Sequence, residues 1–197
     1  MRYPPKQKAE THAAIVSAAA RLFRERGAEA NGIGSVMKEL GLTKGGFYRH
    51  FKSRDHLYVE AIAQAFTEMG DGMIAAAEAA PKGKALQAII NRYLSMGHLA
   101  SPGIGCVVAT LGSDIARQSP SVRRQIARHV QAYRERLFPY MPGSTQEEKA
   151  SVFSRLYPSM VGTMIAARAA VDKANQEAML AQASEYLIRQ WVPTASQ

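Results

Sequence analysis

The stretch Leu40-Gly41-Leu42-Thr43-Lys44-Gly45-Gly46-Phe47-Tyr48-Arg49-His50-Phe51-Lys52-Ser53-Arg54 decides the fold. Gly41 ends one short helix, and Thr43 is a residue type that starts the next. Phe47 and Phe51 are four apart, so on a helix they share a face and can anchor it to a small core. Lys44, Tyr48 and Lys52 form another stripe, flanked by Arg49 and His50. Gly45 and Gly46 carry no side chains, so the start of this segment can approach a phosphate or a base edge. A short helix, a glycine turn and a second helix with one apolar and one hydrogen-bonding side is the layout of a helix-turn-helix unit.

The flanking sequence is helical in period on both sides. Upstream, Ile15, Ala19, Leu22 and Phe23 form the stripe of a first helix that Gly27 ends. Asn31 is placed to cap a second helix, with Ile33, Val36, Met37 and Leu40 facing inward. Gly32 and Gly34 are expected to cost that helix about 1–2 kcal/mol. Downstream, Ser53 and Asp55 open a long helix striped by Ile62, Phe66, Met69 and Met73, expected to run to Ala80. Further helices are expected over Lys84–Ala100, Cys106–Arg117, from Ser119 or Ser121 through Leu137, Thr145–Val171 and Asn175–Trp191. Proline and glycine separate them, and Pro193 ends the last. No stretch alternates with the period of a strand. The expected fold is all-α: an N-terminal three-helix helix-turn-helix domain over 1–54, then a larger helical domain over 55–197.

Charge agrees with this division. Of 25 Lys and Arg and 16 Asp and Glu, residues 1–56 hold 11 basic against 5 acidic, leaving 14 against 11 for the rest. A basic N-terminal module favours a polyanion, because cations that neutralise phosphates release condensed counterions. The single cysteine, Cys106, excludes a disulfide within the chain. No apolar run reaches membrane-spanning length and no signal-peptide pattern opens the chain, so a cytoplasmic protein is expected. Enzyme motifs are absent: Gly103-Ile104-Gly105 has neither the strand before it nor the third glycine of a nucleotide loop. His12, His50, His56, His98 and His129 show no i, i+4 pair, so no metal site and no cofactor are expected. A non-specific nucleic-acid binder and a purely ligand-binding helical protein remain as alternatives.

Gly41 through Arg54 resembles the recognition-helix signature of the TetR/AcrR family of transcriptional regulators, and Ile15–Gly27 is similar to that family's first helix. The resemblance implies that Thr43, Lys44, Gly45 and Gly46 enter the groove. It places Tyr48, His50 and Arg54 at phosphates, with Arg49 between them. Lys44 and Arg49 suit base edges, and Lys52 completes the basic face. Arg2, Lys6 and Lys8 could add phosphate contacts from an N-terminal arm. Asn31-Gly32-Ile33-Gly34-Ser35 departs from the family's usual start of helix two.

The resemblance also implies a homodimer held by the last two helices, with Met160, Val161, Met164, Leu180, Leu187 and Trp191 as interface candidates. It implies a pseudo-palindromic double-stranded operator and a small-molecule effector that releases the protein. Phe66, Met69, Met73, Tyr93, Met96, Cys106, Tyr133 and Met164 are the candidate pocket lining. Segment 105–117 is similar to a family branch in which a cysteine at this place is common and sometimes senses electrophiles or oxidants, which gives Cys106 a second candidate role.

Overall fold

The computed structural model describes residues 5–28 and 32–192, and all regular structure among them is helical. Three elements build the N-terminal unit. α1 (Pro5–Arg26) buries Ile15, Ala19, Leu22 and Phe23. α2 (Ile33–Glu39) adds Val36 and Met37. A 3-10 segment, Lys44–Arg49, follows the turn and buries Phe47, with Phe51 just beyond it. Gly27 and Gly41 close α1 and α2 with φ of 81° and 67°, a backbone region that residues with a Cβ avoid.

α1 begins far upstream of its apolar stripe, so Lys6 and Lys8 stand on a helix rather than on a loose arm. Gly32 is the N-cap of α2, so only Gly34 weakens the helix interior. Asn31 as a cap, Arg2 as a phosphate contact and Pro193 as a terminator lie outside the described residues. Thr43 precedes the recognition segment without a side-chain cap bond.

α3 (Arg54–Glu78) is the spine of the molecule. Ser53 caps it by accepting from the His56 N–H. One side of α3 packs on α1 and the other on α4 (Ala85–Tyr93) and α7 (Pro120–Leu137). The stretch expected as one helix from Lys84 to Ala100 is two, α4 and α5 (Met96–Ala100). The break has a side-chain cause. The His98 Nδ1–H donates to the Tyr93 carbonyl at 2.6 Å, and Ser95 caps the new helix.

α6 (Val107–Ala116) follows a 3-10 turn at Pro102–Ile104. α8 (Gln146–Ala169) starts from a reciprocal cap between Thr145 and Glu148. α9 (Lys173–Trp191) starts from Asp172, two residues earlier than the apolar pattern suggests. α8 and α9 form an antiparallel pair that closes over α4 and α5. No helix among the described residues is long and apolar enough to cross a membrane.

Candidate nucleic-acid interface and effector centre

The recognition segment divides cleanly between inside and outside. Phe47 is 0% and Phe51 1% exposed, their rings stacked at 5.2 Å, and Phe51 stacks on His12 of α1 at 4.4 Å. Tyr48, between them in sequence, is 71% exposed. Thr43, Lys44, Gly45, Arg49 and Lys52 are exposed as well. Gly46 is half-buried, because a Cβ there would meet Thr43 and Met37. The aromatic anchor thus fixes the angle of a face whose free groups are cationic, hydroxylic or absent.

His50 and Arg54 are placed differently from the rest. His50 is half-buried, and its buried Nδ1 has no partner among the described residues. Burial chiefly, then the charges of His12, Lys8 and Arg49, hold its pKa below the ordinary imidazole value. Arg54 donates from Nη2 to the Ala28 carbonyl at 2.7 Å, tying the start of α3 to the end of α1. Beneath them lies a group that i, i+4 histidine counting misses. Glu60 of α3 pairs with His12 at 2.6 Å and with His56 at 2.8 Å. The spacing of His56 and Glu60 was its only sequence signal.

The residues expected to line a pocket converge, but as packed core. Phe66, Met69, Met73, Tyr93, Cys106, Tyr133 and Met164 are buried and Met96 half-buried. Phe66 and Tyr133 edge a small cleft of about 50 Å³. Larger clefts open elsewhere, such as a groove of about 810 Å³ along Glu147, Ser151, Arg155 and Trp191.

The centre of this core is polar. Cys106 Sγ lies 3.3 Å from the Tyr157 hydroxyl and accepts from the Ala109 N–H at the start of α6. The Cys106 N–H donates to His98 Nε2 at 2.9 Å, so both imidazole nitrogens are engaged. Burial pushes the His98 pKa down and those of the Tyr93, Tyr133 and Tyr157 hydroxyls well up, so all four stay neutral. Arg168 reaches the carbonyls of His98 and Leu99 from α8. Tyr157, His98 and Arg168 complete a centre of which the candidate pocket lining held only Tyr93, Cys106 and Tyr133.

This centre is wired to α1. Arg24, 3% exposed, donates to Glu68 of α3 at 2.7 Å and to the Gly105 carbonyl at 3.4 Å, one residue before Cys106. At the other end of α6, Asp114 accepts from the Ala28 N–H. α6 is therefore tied at its start to α1 and near its end to Ala28, just past the end of α1.

Of the expected interface residues, Met160, Val161, Met164, Leu180 and Leu187 are buried in the chain's own core, and Trp191 lies half-buried under Arg155. α8 and α9 use these side chains against each other and against α4, α5 and α6. Their outward faces show a different set: Pro158, Gly162, Ile165, Ala166 and Ala169 on α8, Ala174, Ala178, Ala181 and Tyr186 on α9. No group of three or more His, Cys, Asp or Glu among the described residues is placed to hold a metal ion.

An anchored basic face on a short helical unit, joined by a long shared helix to a larger helical body, defines a helix-turn-helix fold with an appended helical domain. Residues 15–61 match the family described as bacterial regulatory proteins, tetR family. That match lies in the N-terminal unit and the first turns of α3. The chain is 39% identical over 56 residues to the HTH-type transcriptional regulator AcrR of Shigella flexneri, a match that spans 28% of this chain and 26% of that protein's length. Solved structures extend the likeness of fold to the whole chain. A TetR transcriptional regulator from Chloroflexus aurantiacus superposes with a TM-score of 0.70 at 21% identity, over 95% of this chain and 100% of that one. The reduced form of Escherichia coli NemR gives 0.75 at 15% identity, over 94% and 100%.

Proposed function

We propose that the protein is an operator-specific, DNA-binding transcriptional repressor that acts as a homodimer in the cytoplasm and leaves DNA when a small molecule binds its C-terminal domain. It has no enzymatic role in this reading, and the domains meet at the start of α3, at residues 54 and 55. The observation that carries the proposal is the split of the recognition segment: Phe47 and Phe51 buried, Lys44, Tyr48 and Arg49 free. A helix fixed on one side and basic on the other is what major-groove docking needs. The outward faces of α8 and α9 support a second copy, since small residues there allow close helix approach. Two recognition segments related by a twofold axis call for a pseudo-palindromic site. Release requires an effector that binds one arrangement of the domains more tightly than the other. The buried centre around Tyr93, Cys106, Tyr133 and Arg168 is its place, and Arg24 and Asp114 connect that place to α1. Selection of DNA sites from a random pool tests the reading. Enrichment of one inverted repeat is expected, and recovery of no preferred sequence would leave a non-specific binder.

A second reading is favoured by the surroundings of Cys106. Alkylation or oxidation of its sulfur would break the contacts to Tyr157 and to the Ala109 N–H, directly beside the carbonyl that Arg24 holds. Cys106 would then be the sensor itself. If Cys106→Ser releases operator DNA as readily as the native chain on treatment with an electrophile, this second reading fails.

A further inference from the structure

Helix α7 carries a basic surface that neither the recognition segment nor the buried centre uses. From Ile115 to Arg134 the sequence has five arginines and no acidic residue. Arg117 pairs with Asp114, and Arg134 lies over the Phe138 ring. Arg123, Arg124 and Arg128 are exposed, and none has an ion pair among the described residues. Exposed like charges at such spacing repel one another, so the surface favours an anion.

The register of α7 against α3 decides which anion. Tyr133 lies against Phe66 and Gly70, and Arg136 reaches Thr67 and Asp71. Nearer the start, His129 shares a cleft with Ala63, Phe66 and Thr67. The two helices therefore run parallel, and the first turns of α7 lie beside the first turns of α3. Arg54 donates to the Ala28 carbonyl while Asp114, paired with Arg117, accepts from the Ala28 N–H, so the same corner is held from both sides. The start of α3 is where Lys52 and Arg54 stand, at the edge of the DNA-facing surface. Arg123 and Arg124 are thus at the height of that face, on its flank.

We propose that Arg123 and Arg124 form a second phosphate-contacting surface, supplied by the larger domain, on the backbone of the same duplex that the recognition segment engages. This rests on the DNA-binding reading above. The contact is independent of sequence, since arginines on a backbone position a duplex and do not read it. It adds to the salt dependence of binding, because each neutralised phosphate releases counterions.

The test compares Arg123→Gln/Arg124→Gln with Lys82→Gln/Lys84→Gln. The second pair removes the same charge from the exposed turn at the far end of α3. Affinity is measured across a salt series on a scrambled duplex and on any site the selection enriches. The arginine variant is expected to flatten the plot of log affinity against log salt by about one unit for each phosphate no longer neutralised, and to weaken both duplexes equally. The lysine variant is expected to leave the slope unchanged. An unchanged slope in the arginine variant, or the same flattening in both, overturns the proposal. If no site is enriched but the arginine variant alone flattens the slope on the scrambled duplex, this phosphate surface stands and operator specificity falls.

Discussion

Tyr48 and Lys44 are both exposed, yet their chemistry separates them. A phenol hydroxyl suits a phosphate, whereas a long cationic side chain such as lysine suits a guanine edge. Tyr48→Ala is expected to weaken binding to every sequence alike. Lys44→Ala is expected to cost about 1–3 kcal/mol at its preferred base and to relax preference there. Binding of both variants to a randomised operator library checks the division, and equal losses across all sequences would refute it.

The buried imidazole of His98 has a consequence for stability. Its pKa is held below the ordinary 6.5 by burial, as are those of His50 and His129. Unfolded chains therefore take up protons first as pH falls through about 6.5. Stability should be full above that pH and decline as it falls toward the depressed folded values. Thermal melts from about pH 8 to about pH 5 should show this decline. The His98→Gln variant, although less stable at every pH because its two ring hydrogen bonds are gone, should lose its share of the slope. A slope identical to the native one would refute the assignment.

At this scale the sequence was legible where spacing alone decides. Phe47, Phe51 and Tyr48 follow from four-residue periodicity. Arg54 on the Ala28 carbonyl and Glu60 between two histidines do not, because each depends on how α1 crosses α3.

α2 is the weakest element of the N-terminal unit. It is seven residues long, its N-cap Gly32 offers no side-chain acceptor, and Gly34 lies inside it. A Cβ at Gly34 would meet nothing within 4 Å. Gly34→Ala is therefore expected to stabilise the fold by about 0.5–1 kcal/mol, without touching the recognition segment. Denaturant unfolding should show a raised midpoint, and a lowered one would mean the space is needed. Helix ends were readable at Ser53, Thr145 and Gly27, each marked by a cap or a positive-φ glycine, but not at the capped starts Ser95 and Asp172. The break at Leu94 was not, since its cause is the His98 ring bonding a carbonyl five residues back. Local propensity carries no trace of such a bond. The 3-10 winding of Lys44–Arg49 was hidden as well, because paired glycines at its start weaken the preference for any one helix type.

For the whole molecule, the apolar side chains of α8 and α9 were visible in the sequence but their direction was not. Met160, Met164, Leu180 and Leu187 face inward, and the apolar residues exposed on the two helices are mostly small, with Ile165 and Tyr186 the large ones. Such a surface works by letting two backbones approach closely, so added bulk should harm it more than a smaller apolar area would. Gly162 makes the distinction testable. It lies on the outward face of α8, and a Cβ built there meets nothing within 4 Å in the chain itself. Gly162→Leu should leave the monomer folded, and more helical by the glycine penalty of about 1 kcal/mol. In a homodimer packed through this face the same side chain would drive the helices apart. Sedimentation should then show the native chain at twice the 21.5 kDa protomer mass and the variant at the protomer mass. The variant should keep a native melting profile but lose affinity for an inverted repeat far more than for a single half-site, because only the dimer holds both recognition segments in register. A variant that still sediments as a dimer would move the interface off this face of α8.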